Sequence, residues 1–231
     1  LLAGVDFIEE RSPQIMQEYR SHLTEKIQEL LGDTQIDEGR IATEVTIYAD
    51  KVCVDEETVR SALESGGLVE LVSLEKNYPS EIVLNVRERV CEAVVAHAGV
   101  VLTLERDGTV IERLSTLPDT DAVYVTGLCV TSYRLGEVVS APSVRLSAMT
   151  AVLDALYDNG ATQYVSELNV SDANSLYIYT RTGMRVDLGN SENMNNKIIW
   201  MAGTLKDLEA RGETSGTLDV SSGNKADYSA R

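Results

Sequence analysis

The sequence predicts an α+β fold, in which a short helical N-terminal segment precedes a mixed β domain. Two features of the 231-residue chain predict this class. Up to Gly66 and Gly67, apolar residues recur every three or four positions, as they do on one face of a helix. Beyond these glycines, apolar and polar residues mostly alternate, which is the period of a half-buried strand. Hydrophobic residues make up 43% of the chain, enough to form a packed core.

Three amphipathic helices are predicted in the N-terminal segment. The first covers residues 12–32, since a Ser-Pro pair suits a helix N-terminus and Gly32 suits its end. The second covers residues 37–51. The third covers residues 55–66, with Asp55 as its N-cap and two glutamates in its first turn. Because three short helices bury only a small core, we expect this segment to be marginally stable by itself.

The rest of the chain is predicted to form short strands joined by turns, together with two longer helices. Asp107 and Gly108 form a dipeptide that is typical of a tight hairpin turn. The helices cover residues 140–157 and 193–210, and we expect both to pack on one face of the sheet. The predicted strands cover residues 69–75, 82–89, 91–98, 100–105, 109–112, 164–170, 175–180, 184–188, 217–220 and 225–228.

The composition argues against several classes of function. The chain has 37 acidic and 20 basic residues, and its net charge of −17 repels nucleic-acid phosphates and anionic lipid heads. No apolar stretch reaches the roughly 20 residues of a membrane-spanning helix. Three cysteines and two histidines predict neither a disulfide framework nor a metal site. We therefore expect no cofactor, no metal, no catalytic residue and no nucleic-acid partner.

Residues from about 69 to 231 contain several short segments in a recognisable order. These are an aromatic-Pro turn at 78–79, VRER at 86–89, LERDGTV at 104–110, LP at 117–118, MRVDLG at 184–189 and GTLDV at 216–220. In this order and spacing the chain resembles the extracytoplasmic part of the bacterial cell-division family FtsQ/DivIB. That part comprises the end of a POTRA module and the β domain that follows it.

This resemblance implies a non-enzymatic scaffold domain of the divisome, at the extracytoplasmic face of the bacterial cell membrane and at the septum. FtsB/DivIC-like and FtsL-like division proteins would bind it, the former by adding a strand to the C-terminal edge of the sheet. The residues implied at this edge are Leu218, Val220, Lys225, Ala226 and Tyr228. Tyr228 would anchor the partner and Lys225 would attract an acidic peptide. The alternative for the same residues is an ordinary closing hairpin.

Residues 1–64 resemble a different family. The similar segments are IEERSP at 8–13, LLGD at 30–33 and EVTIYADK at 44–51. They resemble the middle of the YicC family, which is cytoplasmic and has reported endoribonuclease activity. This resemblance implies the alternative function, a fragment of a YicC-like, metal-dependent endoribonuclease. A helical segment used only for oligomerisation is a third possibility.

Three regions follow from the two resemblances. Residues 1–66 are a YicC-like helical segment, residues 67–90 are partial POTRA-like strands, and residues 91–231 are an FtsQ/DivIB-like β domain. The two families belong to different compartments, and the hydrophobic period and the resemblance change together between Ser65 and Leu71. We therefore expect a chimera joined in this interval, without the membrane anchor that precedes the division domain in its family. A sequence-assembly or gene-prediction join, an engineered chimera and a natural fusion are the three explanations, in that order.

Overall fold

The computed structural model describes residues 42–48, 56–77 and 81–230. The predicted helix at residues 12–32 lies outside these residues. The chain divides into two compact units, Leu1–Val90 and Cys91–Arg231. Helices occur together with one antiparallel sheet and one mixed sheet, so the predicted α+β class is confirmed. Within the described ranges, no helix is both long enough and apolar enough to cross a membrane.

The first unit contains a three-stranded antiparallel sheet, formed by β1 (Ala42–Tyr48), β2 (Val69–Asn77) and β3 (Glu81–Glu88). Its strand order is β1-β3-β2. β1 lies inside the predicted helix at 37–51, so that prediction is wrong for these residues. The segment is rich in Thr, Val and Ile, which suit a pleated sheet, and all seven residues pair with β3. Pairing with a distant strand has overridden the local helical spacing.

The helix α1 (Glu56–Glu64) confirms the third predicted helix. Its inward residues Val59, Ala62 and Leu63 are buried, and the helix packs beside β2, where Leu71 is also buried. Full burial of a leucine side chain contributes about 2 kcal/mol to stability. A few such residues therefore hold α1 against the sheet.

The second unit is built on a nine-stranded mixed sheet. Its strands are β4 (Ala93–His97), β5 (Val100–Leu104), β6 (Val110–Leu114), β7 (Val123–Thr126), β8 (Val165–Asn169), β9 (Leu176–Thr180), β10 (Arg185–Gly189), β11 (Thr217–Asp219) and β12 (Asp227–Ser229). Their order is β12-β11-β10-β9-β8-β7-β4-β5-β6. The sequence pattern does not predict β7, which has only four residues. It pairs in parallel with β4 and β8, both of which are distant in sequence.

Two helices complete the second unit, α2 (Ser143–Asp158) and α3 (Met194–Ala210), near the predicted positions. They contact each other, and their inward residues join the buried residues of the strands in one hydrophobic cluster. Leu156, Ile198 and Met201 are fully buried in it. This continuous core is the main source of stability for the unit.

A charged cluster ties α2 to the turn between β5 and β6. Arg106 Nε lies 2.9 Å from Glu92 Oε2, and Arg106 Nη1 lies 3.4 Å from Asp154 Oδ1. The guanidinium carbon also lies 4.0 Å from the centre of the Tyr157 ring. The side chains of Arg106 and Glu92 are only 17% and 15% exposed. Because water screens this pair weakly, removal of one partner should destabilise the unit more than the loss of a surface ion pair would.

Candidate functional site

A hydrogen-bonded corner joins α1 to β2, which is an edge strand of the sheet that the described residues form, and we call it the α1–β2 corner. Arg60 Nη1 donates to the carbonyl oxygen of Leu71 at 2.7 Å and to Glu64 Oε1 at 3.1 Å. Arg60 Nη2 donates to Glu56 Oε1 at 3.1 Å. The Leu71 N–H donates to Glu64 Oε1 at 3.2 Å. Side chains of the helix thus bond the backbone of a strand at the sheet edge, where its polar groups would otherwise stay open.

The spacing of the charges explains the corner. Glu56, Arg60 and Glu64 are four residues apart, so they share one face of α1. The pKa of Arg60 is raised above its usual value, chiefly by the hydrogen bond to Glu56; burial opposes this rise, and the nearby Glu64 carboxylate adds to it. The guanidinium is therefore a permanent cation engaged with two carboxylates and a carbonyl. The four-residue spacing is visible in the sequence, although the sequence pattern predicts Glu56 only in the first turn of a helix.

The described residues offer limited means for metal or thiol chemistry. Within 42–48, 56–77 and 81–230, no three His, Cys, Asp or Glu side chains form a group that could hold a metal ion. Burial raises the pKa of the Cys91 thiol to about 11. Because the thiolate is the reactive form, Cys91 is a poor nucleophile at neutral pH. Cys129 is exposed, and Arg145 Nη1 lies 2.7 Å from its sulfur.

The predicted partner-binding residues lie on and beside the last two strands. Leu218 is fully buried on β11 and pairs with Tyr228 on the edge strand β12. Val220 is also fully buried, and Ala226 packs against the core. Lys225 Nζ lies 2.6 Å from Asp227 Oδ2 on the exposed surface. These residues come together at one end of the sheet, and addition of a partner strand there stays a prediction.

Tyr228 is held by its own chain. Its hydroxyl lies 2.7 Å from the carbonyl oxygen of Ser215 and 3.2 Å from Glu213 Oε2. Desolvation, followed by the nearby Glu213 carboxylate, raises the pKa of Tyr228. The ring also packs against the core cluster. Tyr228 therefore fastens β12 to the segment that follows α3, which is a role in closing the sheet.

Comparison with known proteins finds similarity in the N-terminal part of the chain. Residues 8–78 match the family model described as "Endoribonuclease YicC-like, C-terminal". A stretch of 65 residues is 45% identical to the "Probable endoribonuclease YicC" of Clostridioides difficile (strain 630). This stretch is 28% of the present chain and 22% of that protein, so the chain spans about a fifth of its relative's length. The α1–β2 corner lies within the matched residues.

These matches support the YicC resemblance and correct other predictions. The matched region runs to residue 78, past the join expected between Ser65 and Leu71, and it belongs to the C-terminal part of the family rather than its middle. The matches give no support to the FtsQ/DivIB resemblance. The prediction of a non-enzymatic divisome scaffold is wrong, because the matched family is named for an endoribonuclease. The predicted absence of enzymatic function and the extracytoplasmic, septal location are wrong for the same reason.

Proposed function

We propose that this chain acts on RNA as a YicC-like endoribonuclease, through residues 8–78. The observation that carries the proposal is the 45% identity over 65 residues to a protein whose name states that activity. The family match over residues 8–78 supports the same segment. With this function we propose a cytoplasmic location, where cellular RNA is processed.

The net negative charge of residues 8–78 opposes RNA binding unless cations screen it. Residues 8–78 carry 16 acidic and 7 basic side chains, so their net field repels a phosphate backbone. Divalent cations screen this repulsion and can bridge carboxylates to phosphates. We therefore propose that activity requires Mg²⁺ or Mn²⁺. Because the described residues contain no group that could hold a metal, we assign no catalytic step to a bound ion.

A cleavage assay with the full chain tests the proposal. An end-labelled single-stranded RNA is incubated with the chain in Mg²⁺ or Mn²⁺, and the products are separated on a denaturing gel. We expect internal cleavage, which excess chelator abolishes. Intact RNA with both metals would contradict the proposal.

Two matched arginine variants link the activity to the segment. Arg60 on α1 and Arg145 on α2 each donate to a backbone carbonyl at 2.7 Å, to Leu71 and Gly127 respectively. Arg60→Ala breaks the α1–β2 corner inside the matched residues, so we expect the cleavage rate to fall about tenfold, equivalent to about 1.4 kcal/mol. Arg145→Ala removes a similar bond in the second unit and should leave the rate unchanged. If Arg145→Ala lowers the rate and Arg60→Ala does not, residues 8–78 do not carry the activity.

A further inference from the structure

The second unit contains an open cavity at the C-terminal end of α3. Its volume is about 370 Å³. It lies between the last turns of α3, the 3₁₀ turn Thr162–Tyr164 and the turn that joins β9 to β10. Small-molecule sites usually have volumes of about 300–1,000 Å³, so this cavity could accept only a small ligand. We call it the α3 pocket.

The α3 pocket has an apolar lining on its protein side. Met184 and Leu205 line it and are only 1% and 7% exposed, and Tyr164 is half-buried. Thr180 is buried there as well, but its hydroxyl already accepts the N–H of Met184 and contacts the hydroxyl of Thr182. The lining therefore offers hydrocarbon and aromatic surface to a ligand.

The charged groups of the pocket are predominantly acidic. Glu209 and Glu213 both line it, and Arg181 is the one basic residue among its lining side chains. Arg181 Nε donates to the carbonyl oxygen of Gln163 at 2.9 Å, and Nη2 donates to that of Asp121 at 2.6 Å. Arg181 Nη1 also lies 3.5 Å from Asp121 Oδ1, a carboxylate outside the pocket lining. Two carboxylates against one guanidinium leave the lining with a net negative charge.

The helix itself strengthens this negative potential. The C-terminal end of a helix carries a partial negative charge, which favours cations and disfavours carboxylates. The last turn of α3 nevertheless contains Glu209 and no basic residue. Arg211 follows the helix but does not line the pocket. A carboxylate at the unfavourable end of a helix opposes local stability, and such conflicts are common at functional sites.

We propose that the α3 pocket binds a small organic cation, in which an ammonium or guanidinium group is carried on an apolar stem. The cation would lie near Glu209 and Glu213, and the stem would pack against Met184, Leu205 and Tyr164. Two sources share this chemistry, a free amine and the lysine or arginine side chain of a peptide. The site lies in the second unit, so the inference is independent of the RNA function proposed for residues 8–78.

A titration followed by ¹H–¹⁵N NMR tests the pocket on the full chain. The probe is 4-phenylbutylamine, and its uncharged and acidic counterparts are 4-phenylbutanol and 4-phenylbutyrate. We expect the amine to shift the resonances of residues 180–184 and 205–214, with a dissociation constant of about 1 mM. The alcohol should bind about fivefold more weakly and the acid should not bind. Equal binding of amine and acid, or no shifts at about 10 mM amine, would overturn the proposal.

A charge-matched pair of variants separates the local effect from the general acidity of the chain. Glu209→Gln should weaken the amine about fivefold. Glu192→Gln removes the same charge near the opposite end of α3 and should leave the affinity unchanged. Equal weakening by both variants would mean that only the overall charge attracts the amine, which contradicts the proposal.

A second probe distinguishes the two sources of the cation. The peptide acetyl-Gly-Gly-Lys-Gly-Gly-amide presents a lysine side chain without a free amino terminus. Shifts of the same pocket resonances by this peptide would support a protein partner. Shifts by 4-phenylbutylamine alone would support a free amine as the ligand.

Discussion

Replacing Gly127 with alanine should destabilise the second unit by about 3 kcal/mol. Gly127 has φ +80°, in the left-handed region, where an alanine costs about 1–2 kcal/mol. A Cβ at this position would lie 2.5 Å from the backbone nitrogen of Ser171 and 2.7 Å from its Cα. Backbone atoms cannot move aside as a flexible side chain can, and overpacking of this kind costs about 1–3 kcal/mol. The two effects together give the expected loss.

Gly99 provides a matched control. It has φ +81°, nearly the same as Gly127, but a Cβ there would meet no heavy atom within 4 Å. Gly99→Ala should therefore cost only the conformational part, about 1 kcal/mol. The difference of about 2 kcal/mol between the variants isolates the close approach of Gly127 to Ser171.

Urea unfolding followed by the fluorescence of Trp200 measures both losses. Trp200 is the sole tryptophan of the chain and lies on α3, so its signal reports on the second unit. We expect both variants to keep the slope of the parent, with a clearly lower midpoint for Gly127→Ala. Equal losses in the two variants would refute the reasoning, because the contact with Ser171 would then contribute nothing.

Three further predictions concern single side chains. Arg106→Gln should lower the free energy of unfolding of the second unit by about 2 kcal/mol, because it removes the guanidinium charge that faces the mostly desolvated Glu92 carboxylate. An unchanged urea midpoint would contradict this. Iodoacetamide should modify the exposed Cys129 much faster than Cys91, whose pKa burial raises to about 11; equal rates by peptide mass spectrometry would contradict this. Hydrogen bonds from Ser221 lower the pKa of Asp219 in the folded chain below its value in the unfolded chain. The ionised Asp219 therefore stabilises the fold fully above the unfolded-state pKa, and this contribution is lost as the pH falls through the lower, folded-state pKa. Asp219→Asn should therefore weaken the acid dependence of stability below about pH 4, and an unaltered dependence in urea titrations would contradict this.

Much of the fold follows from local sequence, while its exceptions depend on distant partners. α2 and α3 are long and bury apolar residues at helical spacing, and the sequence predicts both near their observed positions. β1 shows the opposite case, since apolar residues at helical spacing form a strand when β3 is available to pair with all seven residues. β7 has only four residues and is stabilised by parallel neighbours on both sides, so no local pattern identifies it.

The prediction of a division scaffold was wrong because it combined several short, individually unspecific segments of residues 69–231. The division-protein resemblance rested on short segments spread across about 160 residues, whereas the YicC resemblance rested on fewer residues. The segments of the YicC resemblance lie within residues 8–78, which match the YicC-like family model. The α1–β2 corner could have been predicted from the spacing of Glu56, Arg60 and Glu64. Its bonds to Leu71 could not, because they depend on how α1 meets the edge of the sheet.

Photochemical cross-linking of the full chain to an RNA that contains 4-thiouridine tests the RNA assignment most directly. The cross-linked peptides are identified by mass spectrometry after digestion, in the presence of Mg²⁺. We expect the cross-links to fall within residues 8–78, the region that matches the YicC-like family. Cross-links confined to residues 91–231, or none at all, would contradict the proposed function.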